Sequence, residues 1–353
     1  MATGSIRTDI LTFPDPETKV VLNYIFPDKG KTEIRDKVRI VDFEPEKPED
    51  CPLWQEMLVG ECAECCLHPI ALCKDPFNKG KNKIVLCEFQ HPDGQSRVTK
   101  NTRGPCEKLL KSLQKEDIYF GLEQEFFITD HNGSPLGSVQ NSSQMLNLRS
   151  QQGLSSTIGL ERQLAETHLK ACIYAGLNIT GMKRESSPGQ WQYQIGPCRG
   201  IEAADQLIIS RFILMRLAEY FGVEVSLNEK QEEVTVESSR LRINFSTKNM
   251  RQEGDGLKYI DEAIKKIGEI DKNELYPFYS LISGTDIGSF SPTIARGKRN
   301  GNSAFRIPQQ VLKKQGGHFQ EGRPRSNADP YEATAALTIA VFDLKFDLLI
   351  PGA

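Results

Sequence analysis

The stretch Gly181-Met-Lys-Arg-Glu-Ser-Ser-Pro-Gly-Gln-Trp-Gln-Tyr-Gln-Ile-Gly-Pro197 constrains this chain more than any other. A turn at Pro188-Gly189 separates two short segments, and the second alternates in period two, which predicts a β-hairpin. Alternate side chains on a strand share a face, so a hairpin presents Glu185 and Gln192 toward one surface. Upstream, Gly121-Leu-Glu-Gln-Glu-Phe-Phe127 places Glu123 and Glu125 at i and i+2, again on one strand face. Two carboxylates so placed repel unless a cation or an arginine sits between them, and the two stretches together predict a carboxylate site built on strands.

A chain of 353 residues is long enough for two cores, since single cores stop growing near about 250–300 residues. A net charge of -3, with 26% charged residues, supplies no basic field for nucleic acid. Apolar runs such as Phe212-Ile-Leu-Met215 fall short of the ~20 residues a membrane helix needs, and the N-terminal segment carries charges where a signal peptide needs an apolar core. A cytoplasmic protein with no membrane and no nucleic-acid partner is expected. The nine cysteines are scattered and odd in number, against a secreted disulfide framework. The cluster Cys62-Ala-Glu-Cys65-Cys66 lacks the second cysteine or histidine pair that zinc requires, so reduced thiols are expected.

Along the chain, residues 1–18 read as an N-terminal arm, and Lys19 to Phe26 with Glu33 to Val41 as two strands of a small domain over 19–105. A helix after Pro105 closes that domain, and the strand from Asp117 to Thr129 opens a larger one over 106–353. Gly159 to Ala175, Ala203 to Tyr220 and Gly256 to Ile267 carry apolar residues at helical spacing. His168, in the first of these helices, reads as a structural imidazole.

Gly121-Leu-Glu-Gln-Glu-Phe126, Ala171-Cys-Ile-Tyr-Ala-Gly-Leu-Asn-Ile-Thr-Gly181, Pro188-Gly-Gln-Trp-Gln-Tyr-Gln-Ile-Gly-Pro197, Asn244-Phe-Ser-Thr-Lys-Asn-Met250 and Arg323-Pro-Arg-Ser-Asn-Ala-Asp-Pro-Tyr331 resemble glutamine synthetase of the eukaryotic type, in order and at similar spacing. The resemblance runs from about residue 20 to about residue 340. It implies an α+β chain with an N-terminal β-grasp domain followed by a larger catalytic-type α/β domain, and subunits stacked in rings, either as a homo-oligomer or as a mixed ring with an active paralogue. It further implies one cation held at Glu125, Glu185 and Gln192 and a second at Glu123, Arg242 and Gln320, with Asn244, Ser246, Lys248, Arg306 and Arg323 as remnants of substrate and nucleotide contacts.

The departures from the family's pattern fall on its chemistry. After Trp54 the family's ammonium-binding aspartate has no counterpart, and Glu56 is the nearest acid. The loop from Ser138 to Gln152 lacks the family's tryptophan and its Gly/Pro-rich run. Where the family has Asn-Gly-Ala-Gly-x-His-x-Asn, this chain has Glu237-Ser-Ser-Arg-Leu-Arg-Ile-Asn244, with Arg242 in place of a metal-binding histidine. A guanidinium stays protonated and has no lone pair to give a metal. Gln192 and Gln320 stand where the family has metal-binding glutamates, Ser280, Gly301 and Gly322 where it has arginines, and a deletion removes the glutamate of its flap.

Glutamine formation needs cations and arginines to neutralise a phosphoryl group in transfer, and each such group lost costs ~10²–10³ in rate. The expectation is a pseudoenzyme with a structural, scaffolding or regulatory role, and the alternative is an ATP-dependent ligase with a rewired site. A residual Mg²⁺ or Mn²⁺ at Glu125, Glu185 and Gln192 is the one cofactor left open. With the second site gone, Arg242 is expected to pair with Glu123.

Overall fold

The computed structural model describes residues 18–27, 33–58, 62–91, 101–137, 158–227, 239–270, 275–279, 291–297 and 303–346. Nearly all of the expected arm, the loop at 138–152, Ser280 with the deletion after it, Gly301 and the Glu56 side chain lie outside the described residues.

The first sheet contains β1 (Val20–Pro27), β2 (Ile34–Val41), β3 (Trp54–Leu58), β4 (Cys62–Lys74) and β5 (Lys83–Gln90) in the order β2-β1-β5-β4-β3. Its pairs are antiparallel except for β1 beside β5. Leu22, Tyr24 and Phe26 of β1 join Val85, Cys87 and Phe89 of β5 in a small core, while Ile25, Ile84 and Leu86 point the other way into the main core. Burial on both faces is why these two strands read as nearly continuous apolar runs rather than alternating ones. On β2, the basic row of Arg35, Lys37 and Arg39 is more than a solvated face. Arg39 lies 4.5 Å from the centre of the Trp54 ring and Lys37 5.4 Å, where a cation is drawn to the ring's negative face. Cys65 is disulfide-bonded, contrary to the expectation of reduced thiols throughout. It lies on β4 in a run that also holds Cys62 and Cys66.

Helix α1 (Arg103–Ser112) starts two residues before Pro105, because the Asn101 side chain accepts from the Gly104 amide at 2.8 Å and opens the helix early. It bridges both parts of the chain rather than only closing the first. Asn101 donates to the Phe89 carbonyl of β5 at 3.0 Å, and Arg103 pairs with Asp205 at 2.8 Å.

The second sheet contains β6 (Tyr119–Thr129), β7 (Ile179–Arg184), β8 (Gln190–Arg199), β9 (Glu224–Ser226), β10 (Leu241–Ser246), β11 (Ser291–Gly297), β12 (Ser303–Pro308) and β13 (Phe319–Glu321). The order is β11-β12-β13-β10-β6-β8-β7, with β9 also on β6, and only β11 and β12 run parallel. β7 and β8 form the expected hairpin. Helices α2 (Ile158–Ala175) and α3 (Glu202–Phe221) cover its back, where Phe120, Leu122, Phe126, Trp191, Tyr193 and Ile195 point. Helix α4 (Gly256–Glu269) buries Ile260, Ala263, Ile264 and Ile267 along one stripe, matching its predicted register. After the short α5 (Gln309–Lys314), helix α6 (Pro330–Phe342) is apolar all round because it packs against α1, α3 and α4 at once.

Asp329 starts α6. Its carboxylate accepts from the amides of Tyr331 at 2.8 Å and Glu332 at 3.2 Å and from the Thr102 hydroxyl at 2.8 Å. Asp329→Ala is expected to lower stability by about 1–2 kcal/mol in urea unfolding, the range for a lost N-cap. An unchanged unfolding midpoint would mean that the cap contributes nothing here.

Candidate functional site on the open face of the second sheet

Glu123 and Glu125 point to the face of β6 opposite the helices. Strand register brings the other candidates beside them. Glu125 faces Gln192 on β8, Glu123 faces Arg242 on β10, and Gly121 faces Asn244. Asn244 in turn faces Gln320 on β13, and Gln320 faces Arg306 on β12. Lys183 of β7 faces Gln192, and Glu185 follows just past the strand. The result is one polar row that crosses the sheet.

Each carboxylate in the row is already held. Glu123 accepts from three amides: Gln192 at 3.1 Å on Oε2, and Asn244 at 3.0 Å and Gln320 at 2.8 Å on Oε1. Glu125, 2% exposed, accepts from Arg242 Nε at 2.9 Å on Oε1, and from the Arg240 amide at 3.0 Å and Gln190 at 3.3 Å on Oε2. Glu185 is paired with Lys183 at 2.6 Å. Burial pushes the Glu125 carboxyl upward, and the neighbouring Arg242 charge opposes that push. Burial also works against the charge of Arg242, but Glu125, with Glu123 and Glu185 behind it, outweighs that and holds its proton on more firmly than usual.

The expected Arg242–Glu123 pair is therefore corrected: Arg242 pairs with Glu125. Arg242 sits opposite Glu123 in register, but its guanidinium leans one step along β6 to the more deeply buried acid. The amides of Gln192, Asn244 and Gln320 are left to hold Glu123.

Other candidates are placed differently. Arg306 shares the row, but Arg323 turns to the packed side, where it makes a bidentate pair with Glu321 at 3.0 and 2.6 Å and lies 4.8 Å from the Phe305 ring centre. The Ser246 hydroxyl accepts from Arg251 at 3.0 Å, and Lys248 is exposed beyond the end of β10. Sequence reasoning missed Lys183 and Gln190, although each stands two residues from a candidate on the same strand face and was open to the period-two rule. His168 is structural as expected, donating Nε2–H to the Ser210 carbonyl at 3.0 Å.

The divalent cations implied by the resemblance do not fit this donor set. A cation needs carboxylate, amide or imidazole lone pairs turned toward one point. Here both oxygens of Glu123 and of Glu125 accept N–H donors, and a guanidinium stands among them. Gln192 turns its NH₂ to Glu123, Glu185 is engaged by Lys183 and Glu125 by Arg242, so each of the three groups left for a residual cation already has a protein partner. Among the described residues, no group of three or more His, Cys, Asp or Glu is placed to share an ion.

Comparison with known proteins supplies the family. Residues 99–247 match the family described as glutamine synthetase, catalytic domain. A glutamine synthetase of Yarrowia lipolytica is 35% identical over 333 residues, covering 90% of both chains. Those of Gallus gallus and Mus musculus are 35% and 34% identical, each covering 94% of this chain and 92% of its own length. With about a third of its residues shared along nearly the whole length of such relatives, this chain belongs to the glutamine synthetase family.

Proposed function

We propose that this chain keeps the glutamine synthetase fold without its turnover, and acts as a structural, scaffolding or regulatory subunit. The observation that carries this reading is the Arg242 guanidinium, 2.9 Å from Glu125 and set in the middle of the carboxylates. Phosphoryl transfer depends on positive charge aimed at the transferred group. A guanidinium committed to a buried carboxylate neutralises that acid instead and sets a fixed positive charge where a cation would have to sit. Gln192 and Gln320, as amides, remove two further anionic ligands, and Gly322 removes an arginine.

In this reading the first sheet is the family's β-grasp domain, with the boundary near residue 105. The natural assembly is a cytoplasmic ring, made of this chain alone or mixed with an active paralogue. Asn244, Ser246, Lys248, Arg306 and Arg323 are what remains of the substrate and nucleotide contacts, and Glu123, Glu125 and Glu185 what remains of the metal ligands. A rewired ATP-dependent ligase is the second reading, favoured by identity of about a third to relatives named glutamine synthetase.

The test is release of glutamine and phosphate by purified protein given ATP, glutamate, ammonia and Mg²⁺ or Mn²⁺, with Glu185→Ala as control. No turnover above that control is expected. Turnover that the substitution abolishes would overturn the inactive reading and install the ligase.

A further inference from the structure

We propose that the old metal centre has become a metal-free lock, in which Glu123 and Glu125 tie four adjacent strands together through protein donors alone. It rests on the loss of the cation ligands proposed above, not on the absence of turnover. Glu123 takes one amide from each of β8, β10 and β13. The reach to β13 matters, because β13 pairs with β10 and not with β6. Gln320 spans that extra strand and also contacts Asn244 Oδ1 at 3.3 Å on the way. Glu125 is bound to β10 through the Arg242 side chain, to the residue just before that strand through the Arg240 amide, and to β8 through Gln190.

The charges explain why these residues go together. Three carboxylates in a row on one sheet face repel each other unless something neutralises them. Arg242 neutralises Glu125 and Lys183 neutralises Glu185. The remaining charge, on Glu123, is spread over three amide donors, each a charge-assisted hydrogen bond. Gly322 belongs to the same arrangement. A Cβ built there lies 3.9 Å from Arg242 Nη1, so any side chain at 322 would start beside that guanidinium. The residues that remove the metals also supply what holds the strands in their place.

The test is thermal unfolding of the whole chain in EDTA and in saturating Mn²⁺. The wild type is expected to melt at the same temperature in both. The double variant Arg242→His with Gln320→Glu removes the guanidinium and sets a new carboxylate against Glu123. It is expected to melt on the order of 5 °C lower in EDTA, and to regain most of that in Mn²⁺. Should the double variant not fold, Gln320→Leu removes one donor without adding charge and is expected to lose about 2 °C. A wild type that melts higher in Mn²⁺ would overturn the lock, and with it the loss of the cation ligands. A metal-indifferent wild type whose variants melt like it would overturn the lock alone and leave the inactive reading standing. A double variant whose loss Mn²⁺ does not reduce would overturn the claim that these donors replace cations.

Discussion

Arg103→Met is expected to destabilise the chain by about 3–5 kcal/mol, the cost of leaving a buried charge without its partner. Arg103 is 8% exposed and forms a bidentate pair with Asp205, through Nε at 2.8 Å and Nη2 at 3.0 Å. Its third nitrogen lies 3.5 Å from both Glu88 of β5 and Glu107 of α1. One guanidinium thus serves the first sheet, its own helix and α3. With methionine there, Asp205 keeps only the Tyr331 hydroxyl, at 2.7 Å, among its described side-chain hydrogen bonds. Burial already pushes the Glu88 carboxyl upward, and Arg103 is the first charge opposing it. Urea unfolding of Arg103→Met, Asp205→Leu and the double variant measures this directly. The double variant is expected to cost clearly less than the sum of the two singles, because neither member of the bidentate pair is left facing an empty place. A single-variant loss below about 1 kcal/mol would show that water reaches the pair and that the junction does not depend on it.

The parts of this molecule that could be read from the chain are those where one local rule decides. The hairpin at 181–197, the strand carrying Glu123 and Glu125, and the stripe of α4 all follow from side-chain period, and each folds as read. Substitution chemistry was equally legible. That Arg242 cannot ligate a metal follows from the guanidinium itself.

What could not be read is which partner a long side chain selects. Register places Arg242 opposite Glu123, yet its guanidinium reaches Glu125, because that carboxylate is more deeply buried and has more to gain from a full charge. Arg323 shows the same limit. It lies in a stretch that resembles the family's, but alternation along β13 carries Glu321 to the packed side and the arginine follows it. Both are three-dimensional outcomes of burial, and neither leaves a trace in spacing.

A second large effect comes from the one imidazole sealed between α2, α3 and β8. His168 is 2% exposed, donates to the Ser210 carbonyl of α3, and lies 4.7 Å from the Tyr193 ring centre on β8. Burial pushes its pKa down to about 4, from an ordinary 6.5. Between those values the unfolded chain binds a proton that the folded chain refuses. Stability from this site is therefore complete above about pH 6.5 and falls as pH drops toward 4, by about 2–3 kcal/mol at pH 4.5. His168→Gln keeps an N–H for the Ser210 carbonyl but has nothing to protonate. Urea unfolding at pH 7 and pH 4.5 is expected to show the wild type losing about 2–3 kcal/mol more than the variant, since every carboxylate contributes equally to both. Equal losses would mean that the imidazole is protonated in the folded state, which its seat among Ser210, Tyr193 and Cys172 does not accommodate.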